Sequence, residues 1–334
     1  MQKKVDAKTA FSPRLGIAYP ITDRGVIHFS YGHFFQIPQF QFLYSNPDFK
    51  ISSGTTSSTA LFGNPDLKPQ RTVMYEIGLQ QQLSDNIGVD LTMFYRDVRD
   101  WVGSSSRPIL TYQVGVQYAQ FVNKDYENVR GVTLKVEKRM SNNFSFRADY
   151  TYQIADGTYS NPTDAVNGIS SNQAPMLALV PMNWDQRHTL NAQLIYSKSD
   201  WIVSLIGTYW SGQPYTPSFS RSESSGSGSQ AVTGLTTNSA NKPDLKNIDL
   251  SISKKIQMTQ SVFLEVFLNI YNLLDSRDAT SVYSDTGSPE TTTNFQPDEV
   301  SYSAKRVGTP EDNQKQPAWY SVPRQIQIGV SLGF

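Results

Sequence analysis

The last ten residues of the chain alternate without interruption between polar and apolar side chains. Ile326, Ile328, Val330, Leu332 and Phe334 are apolar, and the residues between them are Gln, Gly or Ser. A period of two residues indicates a β-strand with one apolar and one polar face. Such a strand suits the end of a transmembrane barrel, where the apolar side meets lipid and the polar side lines a wet lumen. The alternative is a half-buried strand in a soluble β-sandwich.

Tight turns and long polar segments alternate along the rest of the chain. Alternating segments flank short turns at residues 20–25, 84–86, 141–143, 198–200 and 258–260. Long stretches rich in Ser, Thr, Gly, Asn and Pro separate these hairpins, at residues 35–70, 98–127, 156–186, 211–246 and 275–322. We therefore expect an all-β fold of about 11 antiparallel up-and-down strands, each with the roughly ten to twelve residues that a tilted strand needs to cross a bilayer. Soluble domains rarely have so many long connections, whereas outer-membrane barrels do.

Composition and charge agree with a membrane-spanning barrel. The chain has 334 residues, 29 of them basic and 29 acidic, so no net charge favours a nucleic-acid partner. No apolar run approaches the roughly 18 residues that a transmembrane helix requires. Seven charged residues share the polar phase of the predicted strands: Glu76, Asp90, Arg96, Arg147, Asp149, Asp249 and Glu265. Lys254 is an exception in the apolar phase, but it lies near a turn, where a lysine can reach the membrane surface.

The order of turns and loops also predicts an orientation in the bacterial outer membrane. If the last strand ends in the periplasm, the tight turns are periplasmic and the long loops are extracellular. Residues after Met1 lack the apolar core of a signal peptide, although an outer-membrane protein must be exported. We therefore expect that a further segment precedes Met1.

Several segments carry a family resemblance. Residues 63–79 include Asn64, Pro65, Asp66, Leu67, Lys68, Pro69, Arg71, Tyr75 and Glu76. They resemble the "NPxLKPE…YELG" segment of TonB-dependent outer-membrane receptors. Residues 130–152, 184–188 and 269–275 are similar to other segments of that family. The spacing of Gln327, Gly329, Leu332 and Phe334 resembles the C-terminal signal that the barrel assembly machinery reads.

The resemblance implies a barrel of 22 strands around an N-terminal plug. Receptors of this family import scarce nutrients, such as metal chelates, vitamins, glycans or peptides, and are powered by TonB. Residues 1–334 would then be a single partial domain, the second half of the barrel, that lacks the plug and the TonB-binding segment. Such a chain would be a fragment of a longer receptor or the product of a truncated reading frame. An odd number of up-and-down strands would leave two unpaired edges in lipid, at a cost of several kcal/mol for each orphaned backbone group.

The sequence gives no positive sign of catalysis, a cofactor or a metal site. His28 and His33 are five residues apart on one strand and face opposite sides, and His188 lies near a strand end. There is no Gly-x-Ser-x-Gly elbow, and residues 222–229 resemble a phosphate loop only by composition.

Substrate contacts would come from loop aromatics and lumenal polar groups. The aromatic candidates are Trp101, Tyr112, Tyr118, Trp210, Tyr215, Trp319 and Tyr320. The alternative for each is an interfacial or packing role. We expect an importer whose substrate the sequence does not name. The alternatives are a barrel without energised transport, either a diffusion porin or an adhesin, and an outer-membrane enzyme.

Overall fold

The computed structural model describes residues 5–46, 60–105, 109–110, 117–170, 178–218, 237–293, 312 and 314–334. The strands in chain order are β1 (Arg14–Thr22), β2 (Gly25–Gln36), β3 (Ala60–Phe62), β4 (Gln70–Ser84), β5 (Ile87–Ser104), β6 (Ile109–Leu110), β7 (Gln117–Ser141), β8 (Phe144–Gly157), β9 (Val180–Pro181), β10 (His188–Lys198), β11 (Trp201–Trp210), β12 (Pro214–Tyr215), β13 (Ala240–Asn241), β14 (Leu245–Gln257), β15 (Phe263–Tyr271) and β16 (Gln325–Gly333). The helices are α1 (Phe40–Tyr44) and α2 (Asp164–Ser170), and Pro317–Trp319 form a 3-10 turn.

One large antiparallel sheet contains the eleven long strands. Its order is β1-β2-β4-β5-β7-β8-β10-β11-β14-β15-β16, so each long strand pairs with the next one along the chain. The short strands β3 and β6 add to β7, β9 adds to β8, and β12 pairs with β13 separately. The prediction of about eleven up-and-down antiparallel strands is therefore confirmed. No helix in the described residues has the length and the apolar character needed to cross a membrane.

The five tight turns lie where the sequence predicts them. Between β7 and β8, Asn142 and Asn143 have φ angles of 51° and 70°. Two successive positive φ angles are typical of the type I′ turn, and Asn tolerates this conformation better than most residues. At the β10–β11 turn, Lys198 pairs directly with Trp201, which leaves a two-residue loop. We call this edge of the sheet the turn end and the opposite edge the loop end.

Two strands are much longer than the sequence suggests. Residues 98–127 were expected to form a loop, but β5 has 18 residues and reaches Ser104, while β7 has 25 and begins at Gln117. The register of the β5–β7 pair shifts on both sides of Trp101, and Asp100 has a φ of 57°. These bulges interrupt the alternation without ending the pairing, so the alternating pattern of the sequence stops before the strands do. We call residues 99–104 and 117–126 the loop-end extension.

The two faces of the sheet differ as the phase of the sequence predicts. A single cross-strand row on the apolar face joins Ile17, Phe29, Ile77, Met93 and Val132. Ile77 and Met93 are more than half exposed, although both are large and apolar. A soluble protein does not leave a continuous apolar sheet face exposed, whereas a barrel presents such a face to lipid.

Aromatic side chains mark the loop end of this apolar face. Tyr31, Tyr75 and Tyr95 are direct cross-strand neighbours, with ring centroids 5.1 and 6.4 Å apart. At the turn end, the Nζ atom of Lys254 lies 4.9 Å from the centre of the Trp201 ring. Lys254 therefore lies beside an aromatic ring at the margin of the apolar band, where both side chains suit a membrane interface.

The sheet does not close on itself within the described residues. Among these strands, β1 pairs only with β2, and β16 pairs only with β15. Each of the two strands thus has one free hydrogen-bonding edge. The arrangement is that of a partial barrel.

Candidate functional site on the polar face and its loop end

Hydrogen bonds between neighbouring strands cover the polar face. The Ser30 hydroxyl donates to Glu76 over 3.1 Å, and the Asn191 amide donates to Asp149 over 2.8 Å. Further bonds join Gln80 to Asp90, Thr133 to Thr151, Arg147 to Glu137 and Ser251 to Asn269. All seven charged residues predicted for the polar phase lie on this face. A wall of this kind satisfies its own polar groups and still offers donors and acceptors to a passing solute.

Aromatic rings of the polar face lie over glycines of the neighbouring strand. A Cβ atom at Gly329 would come within 2.2 Å of the Phe267 ring, and one at Gly333 within 2.3 Å of Phe263. His28 packs in the same way over Gly78, and Phe94 over Gly131. Each ring occupies the space that a side chain at the glycine position would fill.

The four residues of the predicted assembly signal divide between the two faces. Gln327 and Gly329 lie on the polar face, opposite Asn269 and Phe267. Leu332 lies on the apolar face and is more than half exposed, and Phe334 follows β16 and is almost fully exposed. Their recognition by the assembly machinery stays a prediction.

The family motif at residues 64–69 holds the loop end together. The Asn64 side chain accepts from the Asp66 backbone N–H at 3.0 Å and donates to the Phe121 carbonyl at 2.9 Å. Leu67 is buried in one cluster with Val102 and Phe121 of the loop-end extension. Pro65 is exposed and Pro69 is half-buried.

Asn123 joins this motif to the two long strands. Its side chain accepts from the Lys68 N–H at 2.7 Å and donates to the Lys68 carbonyl at 3.0 Å and to the Asp100 carbonyl at 2.7 Å. Lys8 forms an ion pair with Asp66 beside it. The motif is therefore tied to β7, to β5 and to the segment before β1.

The remaining motif residues lie on β4. Arg71 and Tyr75 share the apolar face, where Arg71 is directly opposite Arg99, and Glu76 lies on the polar face. The Nε atom of Arg71 is buried and has no hydrogen-bond partner among the described residues.

Two buried carboxylates lie where β7 leaves the membrane-spanning part of the sheet. Asp125 and Glu127 are each about 5% exposed. Burial raises the pKa of Asp125, which the neighbouring Lys124 and a hydrogen bond from Thr158 oppose. Burial also raises the pKa of Glu127 to about 7, although the charge of Arg96 acts in the opposite direction. A carboxyl with such a pKa exchanges its proton near neutral pH.

Asp185 fastens another loop to the sheet. It accepts from the Ala155 N–H at 2.9 Å and from the Arg187 Nε at 2.5 Å, and it is almost fully buried. Burial raises the pKa of Asp185 against the effect of these two donors. Residues 184–188, which resemble a family segment, thus form a structural brace.

A cavity of about 470 Å³ opens at the loop end between β11, β14, β15 and the segment before β16. Trp210 and Tyr271 line it together with Asn247, Asp249 and Asp278. This combination of flat aromatic surface with amide and carboxylate groups suits a polar solute. A second cavity, of about 530 Å³, lies among the turns that join β1 to β2 and β4 to β5.

The predicted substrate aromatics do not meet in one place. Trp210 lines the 470 Å³ cavity, and Trp319 packs on Tyr283 with ring centroids 4.6 Å apart. Trp101 packs between two buried clusters, and Tyr118 contacts Phe62 edge-on. The expectation that Trp101 and Tyr118 lie in a loop was wrong, since they belong to β5 and β7.

Three other aromatic candidates complete the set. Tyr215 lies in β12, and the Tyr320 hydroxyl donates to Glu290 at 2.9 Å. Tyr112 lies outside the described residues, as do residues 222–229. Sequence reasoning missed Tyr271, Asn247 and Asp278 as cavity residues. The position of Tyr271 at the loop end of a predicted strand was the available signal.

The histidines lie apart from one another. His28 is on the polar face over Gly78, whereas His33 contacts Tyr31 on the apolar face. His188 packs on Tyr150 and Tyr152, and its Nδ1 atom is 2.8 Å from the Tyr150 hydroxyl. Within the described ranges, no three His, Asp or Glu side chains cluster as metal ligands would.

Comparison with known proteins identifies the architecture. The family model for the β-barrel of TonB-dependent-receptor-like proteins matches residues 2–273. The chain belongs to this family. No curated protein sequence gives a match.

Solved structures of TonB-dependent receptors show the same fold. The transporter YddB from Escherichia coli superposes with a TM-score of 0.59 at 15% identity, over 80% of this chain and 37% of that one. The ferric enterobactin receptor PfeA from Pseudomonas aeruginosa gives 0.59 at 17% identity, over 96% and 39%. The ferripyoverdine receptor of the same organism gives 0.56 at 14% identity, over 96% and 32%. The chain thus spans about two fifths or less of the length of these receptors.

Proposed function

We propose that the chain is the second half of a 22-stranded barrel in a TonB-dependent importer of a scarce nutrient, such as a metal chelate, a glycan or a peptide. The observation that carries this proposal is the continuous polar face across eleven antiparallel strands, opposite an exposed apolar face. The free edges of β1 and β16 support pairing with further strands. The plug and the TonB contact would belong to other parts of the protein.

The orientation proposal follows from the same topology. The turn end faces the periplasm, and the loop end faces the outside and receives the substrate. The apolar face contacts outer-membrane lipid, and Gln327, Gly329, Leu332 and Phe334 present the assembly signal. The asymmetry between short turns and a braced loop end supports this direction.

The polar face would be the inner wall of the barrel, along which the substrate moves. Trp210, Tyr271, Asn247 and Asp249 would contact it first, since they line a cavity at the outer end of that wall. No bond is made or broken in such a transport step. Energy enters only through TonB and the plug.

A nutrient-uptake experiment tests the proposal. Cells that lack this protein, cells that lack TonB and wild-type cells are compared for uptake of labelled metal chelates, glycans and peptides. We expect that uptake of one of these classes is lost in both mutants. Uptake that needs this protein but persists without TonB would indicate a diffusion porin, and surface binding without uptake would indicate an adhesin.

A further inference from the structure

We propose that the turn end of the apolar face carries a binding site for an anionic phospholipid, built from Lys198, Lys254 and Trp201. The inference rests on the proposed insertion of the sheet in a membrane. It adds a specific lipid and a specific place to that proposal.

The three side chains form one cross-strand row. Trp201 on β11 is directly opposite Lys198 on β10 and Lys254 on β14. All three share the apolar phase of Leu194, Val203 and Ile252. About 10 Å, or two strand spacings, separate the backbones of the lysines, so both long side chains can converge above the indole.

Within the described residues, the positive charges of this row have no ion-pair partner. Neither Lys198 nor Lys254 has a carboxylate partner in the described part of the chain, and the contact of Lys254 is with the Trp201 ring. Asp200 is next to Trp201 in the turn, where its carbonyl accepts the backbone N–H of Lys255. Lys255 itself lies over the Phe263 ring on the opposite face.

A third lysine lies on the same face two strands away, in the neighbouring cross-strand row of Phe146 and Leu194. Lys138 on β7 lies in the apolar phase, with its Nζ atom 3.7 Å from the Phe144 ring centre. The same atom donates to the Ser141 carbonyl and hydroxyl at 2.9 and 2.7 Å. Tyr196 lies between the two groups, opposite Phe144 and Val203.

The cluster is confined to one sector of the sheet. At the β1–β2 and β4–β5 turns, the apolar-phase residues are Tyr19, Ile27, Leu83 and Ile87. A non-specific basic margin would recur at every turn, whereas this one occurs from β7 to β14. The pattern therefore points to one bound molecule.

The chemistry of the row selects a lipid with a negative headgroup. Apolar residues above the lysines offer a surface for acyl chains, and the lysines lie where a lipid phosphate would be. Each lysine near an anionic membrane surface contributes about a fivefold change in binding. The indole beside them suits the interfacial glycerol region.

Native mass spectrometry of the purified protein in detergent tests the site. The probes are phosphatidylglycerol, which is anionic, and phosphatidylcholine, which is zwitterionic. We expect that the double variant Lys198→Gln/Lys254→Gln binds phosphatidylglycerol about 30-fold more weakly than the wild type, and that phosphatidylcholine binding is unchanged. The control variant Lys68→Gln/Lys242→Gln removes two positive charges at the loop end and should bind both lipids like the wild type.

The other outcomes separate the inference from the proposed function. Equal binding of the two lipids by the wild type, or equal binding of phosphatidylglycerol by both double variants, would overturn the lipid site alone. Binding of inorganic phosphate as tight as that of phosphatidylglycerol would show that the acyl chains play no part, and would overturn it too. Wild-type protein that does not fractionate with outer membranes would overturn the importer proposal, and the lipid site with it.

Discussion

Glycines of the polar face lie directly beneath aromatic rings, and this contact decides what each position tolerates. Gly329 lies under Phe267, and Gly333 lies under Phe263, on the pair β15–β16. Gly88 is also on the polar face, but a Cβ atom there would meet nothing within 4 Å. The two glycines therefore differ in the space available for a side chain, which the neighbouring strand determines.

We predict that Gly329→Ala and Gly88→Ala change stability in opposite directions. The methyl group at 329 must displace the Phe267 ring, which should lower the free energy of unfolding by about 1–3 kcal/mol. The methyl group at 88 meets open space, and the loss of backbone freedom in the unfolded chain should raise it by roughly 0.5–1 kcal/mol. Urea unfolding in detergent micelles, followed by tryptophan fluorescence, measures both.

A double variant checks the cause. In Gly329→Ala/Phe267→Leu the clash is absent, so the cost of the two changes together should be smaller than their sum. Strict additivity would mean that the ring is not the obstacle.

Glu127 is the second residue whose behaviour depends on its surroundings. Its folded pKa of about 7 lies above the ordinary value of 4.5, because burial disfavours the charged form. The folded state therefore binds the proton more tightly than the unfolded state. The associated stability is fully present below the ordinary pKa and is lost as the pH rises through about 7.

We predict that Glu127→Gln stabilises the protein increasingly as the pH rises. The amide resembles the neutral carboxyl, so the difference in unfolding free energy from wild type should be small near about pH 5 and reach up to about 3 kcal/mol near about pH 8. Denaturant titrations across this range provide the measurement. The exposed Glu137→Gln is the matched control for loss of one carboxylate, and a Glu127→Gln effect that is constant with pH would contradict the assignment.

At the scale of elements, the loop end is a braced structure and not a set of free connections. The β5–β7 pair continues above the membrane-spanning part, and the segment around Leu67 packs against it. Asn64, Asn123 and Asp185 hold backbone groups that would otherwise be unpaired. In the proposed importer, loops held in this way would keep the substrate entrance in a fixed shape.

We predict that Asn123→Ala loosens this brace locally. Three backbone groups lose their partner, which should cost about 1–3 kcal/mol and speed the exchange of the Lys68 amide hydrogen. Hydrogen exchange with mass spectrometry measures the effect. Asn183→Ala, at an exposed side chain, is the control and should leave exchange at Lys68 unchanged.

At the scale of the whole molecule, the sheet has two distinct ends and two distinct faces. In the proposed function, the apolar face would meet lipid, and the turn end and loop end would lie on opposite sides of the membrane. The chain has no cysteine, so single cysteines can report each end without background.

We predict that Thr291→Cys, in a loop, reacts with a membrane-impermeant maleimide on intact cells. Asp23→Cys, in the β1–β2 turn, should react only after the outer membrane is permeabilised. Both positions are exposed, so access to the reagent is set by the membrane and not by burial. The reverse labelling pattern would invert the proposed orientation.

The alternation of side chains was sufficient to predict the eleven long strands without the loop-end extension, the two faces and the tight turns. Those features depend on residues that are adjacent in sequence, because a strand exposes every second side chain and a hairpin is defined by its turn. The family segment at residues 64–76 could also be recognised from the sequence, and the family was confirmed.

Only the tertiary structure revealed the loop-end extension, the brace around Asn123 and the burial of Glu127. The bulges at Trp101 conceal the strand period, and the contact of Asn64 with Phe121 joins residues 57 positions apart. The high pKa of Glu127 likewise results from what packs over it. Sequence patterns of short range determine which segments become strands, whereas burial and long-range contacts arise only when those strands are assembled.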